Sequence, residues 1–259
     1  TTGFAPAVAL PIGWTVVFKA GVADACATTG AVISNTGLIN NTGNTAATQF
    51  NKTVCAIVSV PTGETAGLRD IYFRALSPAS GAVDVLHTGV TVSTIRALTV
   101  NSSQTGQVFP GGTKVYQMSV TNDGNVQEGI LPAATAPDGS NGSQVLLGLT
   151  NSKAGWTSVV YYDADGDGLI GPTENIVSDL SFVSGLSGAG LDPKESVALL
   201  VKVFAPGGAS LGDIDTAKLT ATPNGDINLI VAPAATFATD TTTVISGQVT
   251  LTKDQALDA

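Results

Sequence analysis

Apolar and polar residues alternate with a period of two along much of this chain, which is the spacing of β-strands. In the first twenty residues the large apolar side chains occupy even positions: Phe4, Val8, Leu10, Ile12, Trp14, Val16 and Phe18. We therefore expect a strand over residues 4–18. Pro6 and Pro11 restrict its first part to a sheet edge or a bend.

The same alternation recurs downstream and is interrupted by turn sequences rather than by helical spacing. It predicts strands at Thr53–Val60, Ile71–Leu76, Val83–Leu86, Val90–Val100 and Val115–Thr121. Residues 21–49 are rich in Thr, Asn, Gly and Ala and are expected to form a loop. Many short strands between turn signals predict an all-β chain built of immunoglobulin-like (Ig-like) β-sandwiches.

Three blocks of sequence recur in the same order at a nearly constant offset. They are Gly13–Phe18 with Gly155–Tyr161, Val54–Gly63 with Ala198–Gly207, and Thr94–Val100 with Val244–Leu251. One match between Thr-rich strands arises by chance, but three in order indicate a tandem repeat. We expect two closely coupled modules, residues 1–104 and 105–259, divided in the short polar turn near Gln104.

The modules differ in length ahead of their matching Gly-Trp-Thr blocks. Module two carries the 50 residues Gly106–Gly155 ahead of its Trp156, whereas module one carries only 13 ahead of Trp14. The first module is therefore expected to be incomplete at its N-terminus, without counterparts of Val115–Thr121 and Gln127–Leu131. Such a module has a hydrophobic groove with unpaired strand edges. The alternative is that the chain is a fragment of a longer repeat protein.

A groove of this kind is a template for β-augmentation by another chain. Two segments are candidate donor strands: Phe4–Ile12, with Phe4, Val8, Leu10 and Ile12 alternating, and Gln248–Leu257. A donor that inserts into a different patch from the one it leaves makes a heterologous contact, which propagates as a filament unless it closes a ring. We therefore expect head-to-tail self-assembly, with the chain itself as partner.

The loop at residues 163–174 is a candidate calcium site. Its ligands would be the side chains of Asp163, Asp165, Asp167 and Glu174 and the carbonyl of Leu169. Calcium takes six to eight oxygen ligands, and Gly168 at the sixth position permits the sharp turn. The flanks Val159–Tyr162 and Asn175–Val177 resemble strands rather than helices. A calcium ion bound by this EF-like loop is therefore expected to hold a long connection in place, and not to change the angle between two helices as in an EF-hand sensor. The alternative is an acidic surface loop with no ion.

Composition restricts the remaining possibilities. The 259 residues are 43% hydrophobic, with mean hydropathy +0.30, which is ample for a buried core. A net charge of −9 with 11 Lys and Arg residues argues against binding to nucleic acid or to an anionic membrane. No apolar run is long enough to span a bilayer. The chain starts at Thr1 without a Met, as expected of a processed or trimmed product.

Reactive side chains are scarce. Cys26 and Cys55 are the only cysteines, and an even number in a chain whose composition otherwise resembles that of extracellular proteins predicts a disulfide. The alternative is a pair of buried thiols. His87 is the only histidine and is expected in a solvent-facing turn, so no Ser/His/Asp or Cys/His set can be assembled and we expect no enzyme. Trp14 and Trp156 occupy equivalent repeat positions, which favours core packing over carbohydrate stacking.

Four segments carry a family resemblance: residues 110–125, 161–168, 191–197 and 240–244. Together they resemble the conserved-repeat domains of large bacterial surface proteins, whose archetype is known as domain of unknown function eleven. The resemblance covers residues 105–255 well and residues 12–100 only through the repeat. It implies an Ig-like fold, an exported surface protein, a structural or adhesive role, and no catalytic residues.

The first module departs from this pattern because Lys19–Asp24 holds a single carboxylate in place of the acidic loop. A Cys26–Cys55 disulfide is expected to restrain in module one the connection that calcium restrains in module two. The function expected is that of a secreted, calcium-stabilised structural protein that assembles by strand donation into a filament or surface layer. The alternative is a cell-surface adhesin or carbohydrate-binding module on the same scaffold.

Overall fold

The alternating segments form fourteen strands in the part of the chain that this computed structural model describes: residues 3–23, 25–37, 39, 52–101, 103–129, 144–180, 190–224 and 235–246. These ranges contain no helix. The chain divides into unit 1, Thr1–Ser93, and unit 2, Thr94–Ala259. The all-β prediction is therefore confirmed, and the division falls ahead of the boundary expected near Gln104.

Unit 2 is an Ig-like sandwich of two four-stranded sheets. Its strands are β7 (Leu98–Asn101), β8 (Thr105–Val108), β9 (Thr113–Asn122), β10 (Gln144–Asn151), β11 (Thr157–Tyr162), β12 (Ser196–Phe204), β13 (Ile214–Asn224) and β14 (Thr236–Val244). One sheet has the order β10-β13-β14-β8 and the other the order β11-β12-β9-β7. All neighbours are antiparallel except β8 and β14, which are parallel. This is the strand arrangement of constant-type Ig domains with a divided first strand.

The core of unit 2 lies between these sheets and follows the alternation in the sequence. On β9 the buried side chains are Tyr116, Met118 and Val120, and on β12 they include Leu199, Val201 and Val203. Each fully buried Leu or Val contributes about 1.5–3 kcal/mol relative to an exposed one. The module is therefore stabilised by burial on both inner faces.

Unit 1 contains two three-stranded sheets. Its strands are β1 (Gly3–Pro6), β2 (Thr15–Val22), β3 (Ala25–Val32), β4 (Val54–Ser59), β5 (Gly67–Leu76) and β6 (Val83–Val92), in the orders β1-β5-β6 and β3-β2-β4. Among its described residues, the buried apolar side chains are Trp14, Cys55, Ala66 and Ile71. This core is much thinner than that of unit 2.

The two units share a strand plan over the described strands of unit 1. β2 and β4 pair as β11 and β12 do, and β1, β5 and β6 are ordered as β10, β13 and β14 are. Gly13 packs on Pro61 as Gly155 packs on Pro206. Among its described residues, unit 1 has no counterparts of β7, β8 and β9, and an incomplete first module stays a prediction.

The register of the repeat differs from the sequence match by one residue. The sequence alignment placed Ser59 on Val203, whereas Ser59 opposes Thr15 on β2 as Phe204 opposes Thr157 on β11. Two strands rich in Thr and Val can be aligned one residue out of register and still look similar in sequence. In a sheet, a shift of one residue moves every side chain to the opposite face. The strand pairing therefore decides the register.

Several predicted strand boundaries are wrong. A strand over residues 4–18 is replaced by β1, a break at residues 7–14 and β2, because prolines at 6 and 11 interrupt the ladder. The loop predicted at residues 21–49 contains β3, whose small side chains carry no apolar alternation. Gln127–Leu131 forms no strand in its described part, where Glu128 makes only an isolated bridge with Leu191.

Candidate metal centre and open groove

The acidic loop connects β11 to the segment that returns towards β12, and a short antiparallel bridge closes its base. Tyr161 is paired with Ile176, and the Tyr162 amide donates to the Asn175 carbonyl over 2.9 Å. The predicted strand at Asn175–Val177 is therefore reduced to this bridge. The bridge holds both ends of the loop at one point of the sheet, which brings residues 163 and 174 together.

Inside the loop, backbone amides bond to the aspartates. Gly166 and Gly168 donate to the two carboxylate oxygens of Asp163 over 2.9 and 3.2 Å. Asp165 accepts from the Asp167 amide over 3.2 Å, and Asp167 accepts from the Leu169 amide over 2.7 Å. These contacts curl the backbone around the carboxylates and orient their remaining oxygens.

The loop has three carboxylates in a single cluster. Ligand oxygens of Asp163, Asp165 and Glu174 lie within 4.8 Å of one another, and Asp163 and Glu174 are buried. Asp167 lies outside that group, and the Leu169 side chain is exposed, as suits a residue that would contribute its carbonyl. Three close carboxylates repel one another unless a cation lies between them, and oxygen-only ligands suit calcium. The donor set fits a hard divalent cation.

Gly168 lies against β9. Its φ is +76°, and a Cβ atom there would come within 1.8 Å of the Gln117 Nε2 atom. Gly166 has a similar φ of +73° but no atom within 4 Å of its Cβ position. The sixth position of the loop therefore requires glycine for its conformation, and a side chain there would also displace the exposed Gln117 side chain.

In unit 1 the corresponding connection contains β3 and a disulfide. Cys26 on β3 is bonded to Cys55 on β4, with a Cα–Cα distance of 5.6 Å, so the predicted disulfide is confirmed. The carboxylate at Asp24 lies outside the described residues. The bond links β3 and β4 across β2, which lies between them.

The open side of unit 1 lies where unit 2 has β8 and β9. In unit 2, β9 pairs with β12 and β8 pairs with β14. In unit 1 the equivalent edges of β4 and β6 have no described strand beside them. A cavity of about 430 Å³ opens between the sheets, lined by side chains that include Phe4, Phe18, Val54, Ala56, Phe73 and Leu86.

This groove has an apolar floor and a charged rim. Phe18 contacts both Phe4 and Phe73, with ring centroids 5.6 and 5.7 Å apart. Lys52, Arg74 and Asp84 also line the cavity and supply the charges. The groove therefore presents apolar surface and two strand edges at one place.

The candidate donor residues at the N-terminus are divided between strand and loop. Phe4 lies on β1, which pairs with β5 of its own unit, and its ring lines the groove. Val8 and Ile12 are exposed, and Leu10 is partly buried in the break before β2. The second candidate, Gln248–Leu257, lies outside the described residues.

His87 lies in the middle of a strand. The predicted strands Val83–Leu86 and Val90–Val100 are instead β6, Val83–Val92, and β7, so the expected turn is wrong. His87 is solvent-exposed as predicted, stacks on Tyr72 and lies 2.8 Å from Asp70. Trp14 and Trp156 are both buried, which confirms the core-packing interpretation.

Sequence reasoning missed a buried ion pair at the start of unit 2. Arg96 Nη1 donates to Glu128 Oε1 over 2.8 Å, and both side chains are almost fully buried. Asn125 accepts from the Ile95 amide over 2.6 Å beside it. No local sequence pattern pairs the two residues, because they are 32 positions apart.

No protein-family model and no curated protein matches the chain. Several solved structures are similar to the chain. CfaE, the adhesive subunit of CFA/I fimbria of enterotoxigenic Escherichia coli, has 9% identity and a TM-score of 0.37, covering 91% of this chain and 74% of that one. BcpA, the major pilin subunit of Bacillus cereus, has 11% identity and a TM-score of 0.28, covering 95% and 69%.

A family 123 glycoside hydrolase from Clostridium perfringens is also similar, with 7% identity and a TM-score of 0.30. The match covers 58% of this chain and spans only 27% of the hydrolase. The described residues of our chain include no helix long and apolar enough to cross a bilayer.

Proposed function

We propose that the chain is an extracellular structural protein of a surface layer or filament, without enzymatic activity, assembled by strand exchange between copies. The resemblance to bacterial conserved-repeat surface domains supports this proposal. The observation that carries it is the open side of unit 1, where two strand edges and an apolar cavity meet.

An open sandwich of this kind favours the addition of a strand. The main-chain groups on the edges of β4 and β6 offer a ladder, and an exposed apolar residue that lines the groove, Leu86, favours burial. In unit 2 the corresponding positions are filled by β9 and β8, which bury Tyr116 and Val108. A strand added to unit 1 would play the same part.

The occupant we propose is the C-terminal segment Gln248–Leu257 of a second copy. Phe4 already belongs to β1, so the N-terminal candidate would have to leave its own sheet. The repeat matches Val249 and Leu251 to Leu98 and Val100, which alternate on β7 and are buried in the core of unit 2. The donor segment thus has the apolar alternation of a strand that packs into the core of a sandwich.

Calcium is the second part of the proposal. Bound between Asp163, Asp165 and Glu174, with the Leu169 carbonyl and Asp167 within the same loop, the ion would neutralise the cluster and fix the connection that leads to β12. Its role would be structural, because the flanking elements are strands and a bridge rather than a movable helix pair.

The assembly proposal is tested by sedimentation and electron microscopy of the full chain with calcium present. Wild-type protein should form polymers, whereas Val249→Asp with Leu251→Asp should remain monomeric, because both charges would enter the apolar groove. The matched control Thr250→Asp, on the opposite face, should still polymerise. A wild-type chain that stays monomeric at high concentration contradicts the proposal, and polymers from the double variant contradict the C-terminal donor.

The adhesin alternative predicts an exposed cluster of aromatic rings. Among the described residues, the rings that contact one another are Phe4, Phe18 and Phe73 inside unit 1 and the Tyr72–His87 pair. Phe109 and Phe237 are exposed, and Lys218 lies over the Phe237 ring. This distribution favours the structural function. Specific binding on a glycan array would favour the adhesin instead.

A further inference from the structure

The first and last strands of the unit 2 sandwich lie side by side and run in the same direction. β8 pairs in parallel with β14, with Thr105 opposite Thr241 and Val108 opposite Val244. The described part of unit 2 begins at Thr94, just before β7 and β8, and ends at Ser246, just after β14. The entry and exit points therefore lie at opposite ends of one parallel strand pair.

This geometry determines how tension acts on the module. Pulling the chain at both ends draws β8 and β14 past each other along their length, so the hydrogen bonds between them share the load and must break together. In an antiparallel pair pulled from the same end, the bonds break one at a time. Forced unfolding is governed by the unfolding rate, so the bonds at this pair decide the resistance.

Polar contacts extend the parallel pair beyond its ladder. At one end, the Thr241 amide donates to the Gln104 carbonyl over 2.9 Å, and the Gln104 amide donates to Asp240 over 2.7 Å. At the other end, the Ile245 amide donates to the Val108 carbonyl over 2.9 Å. Both ends of the pair are thus fastened through the backbone.

Tyr116 ties the pair to β9 from inside the core. Its hydroxyl donates to the Thr241 carbonyl over 2.9 Å and lies 2.7 Å from the Thr242 hydroxyl, and both side chains are fully buried. A Cβ at Gly106 would come within 2.6 Å of that hydroxyl, so glycine makes room for the contact. Water is kept from these bonds, which makes them harder to exchange under load.

The point of entry is reinforced as well. Ile95 exchanges two hydrogen bonds with Asn125, through its amide to the side chain and through its carbonyl from the amide. Beside them the Arg96–Glu128 ion pair is buried. Tension arriving at Thr94 therefore meets β7 and this ion pair before it reaches β8.

From this geometry we infer that unit 2 is a mechanical clamp, a module whose function is to carry tensile load between its ends. This goes beyond the assembly proposed above, because it holds for a single chain. The load is resisted in two places, along β7 against β9 and along β8 against β14.

The direct test pulls the full chain in two directions by single-molecule force spectroscopy. The first geometry uses handles at the two chain ends, where release of residues 94–246 lengthens the chain by about 500 Å. The second joins the C-terminal end to Leu211→Cys, because Leu211 is exposed and the adjacent Gly212 amide donates to the Val244 carbonyl. That geometry peels β14 from its end.

We expect the unfolding force to be several-fold higher in the first geometry, although the folded module is the same. Equal forces in the two directions would overturn the inference. Thr242→Val should speed unfolding at constant end-to-end force about tenfold, the equivalent of about 1.4 kcal/mol. The control Leu149→Ala lies on β10, away from the loaded strands, and packs on the core.

Leu149→Ala should lower the melting temperature at least as much as Thr242→Val does, yet leave the forced unfolding rate close to wild type. Its contacts remain intact when the clamp breaks, and such contacts have little effect on the unfolding rate. If both variants change the forced rate in proportion to their thermal effect, unit 2 has no mechanical clamp.

Discussion

Tyr116 shows how one buried hydroxyl makes the stability of unit 2 depend on pH. Burial raises the pKa of Tyr116 above its ordinary value of 10.0, and the carboxylates of Asp240 and Asp215 raise it further against the opposing Thr242 hydrogen bond. Because the folded pKa is higher than the unfolded one, the stability is fully present below pH 10 and is lost as pH rises from there through the folded pKa.

Tyr116→Phe should therefore have two effects. Near neutral pH it should destabilise unit 2 by about 1–3 kcal/mol, because the Thr241 carbonyl and Thr242 hydroxyl lose a buried partner. Above pH 10 the difference from wild type should narrow, since the variant has no phenol to ionise. Thermal melting from pH 7 to 11 measures both, with Tyr161→Phe on β11 as control. A constant difference across that range would contradict the assigned role.

The Arg96–Glu128 pair marks the limit of sequence reasoning at the residue scale. The two residues are 32 positions apart, and the strands predicted at Val90–Val100 and Gln127–Leu131 gave no reason to pair them. By contrast, the glycines and aspartates of the acidic loop have fixed spacing within twelve residues, so local backbone geometry suffices to place them. Contacts made within a loop were predictable, whereas contacts made by tertiary packing were not.

At the scale of elements, the acidic loop offers a sharp comparison between two glycines. Gly166→Ala and Gly168→Ala both place alanine in the left-handed region, which costs about 1–2 kcal/mol each. Only Gly168→Ala also displaces Gln117 of β9. We expect calcium affinity, measured by isothermal titration, to fall more for Gly168→Ala than for Gly166→Ala. Equal affinities in the two variants would show that the loop does not need β9.

Strand content was predictable where apolar alternation is strong, as on β9 and β4. The prediction failed on β3, whose residues are small. It also failed on β6, where His87 and Thr88 suggested a turn, because the hydrogen-bonded ladder to β5 continues unbroken from Val83 to Val92. Cross-strand pairing with β5 outweighs the local preference there. Turn chemistry alone therefore misplaced one boundary, and tertiary pairing supplied the correction.

At the scale of the whole chain, the repeat revealed the two units, but the division between them needed the structure. Residues 94–101 follow the last strand of unit 1 in sequence, and the sequence placed them in module one. Their side chains Leu98 and Val100 are buried in the core of unit 2, and β7 pairs with β9. The boundaries of a sequence repeat therefore need not coincide with the boundaries of the folded sandwich.

The two units use different restraints, so they should respond to different reagents. The Cys26–Cys55 bond closes a loop with a sequence separation of 29 in unit 1. On the chain-entropy estimate it stabilises that unit by about 3–4 kcal/mol. The acidic loop belongs to unit 2, and a bound ion would stabilise only that unit, to an extent set by its concentration relative to Kd.

Calorimetry of the full chain should therefore resolve two transitions with independent sensitivities. A chelator should lower the transition of unit 2 alone, because the carboxylates of Asp163, Asp165 and Glu174 would then repel one another without a counter-ion. A reductant should lower that of unit 1 alone. The variant Asp163→Asn, which weakens the ion site, should lower only the transition of unit 2 and so identify it. The variant Cys26→Ser, which removes the disulfide, should identify the transition of unit 1 in the same way. A chelator that leaves both midpoints unchanged would contradict a structural calcium, since removal of a bound ion must lower the stability of the unit that holds it.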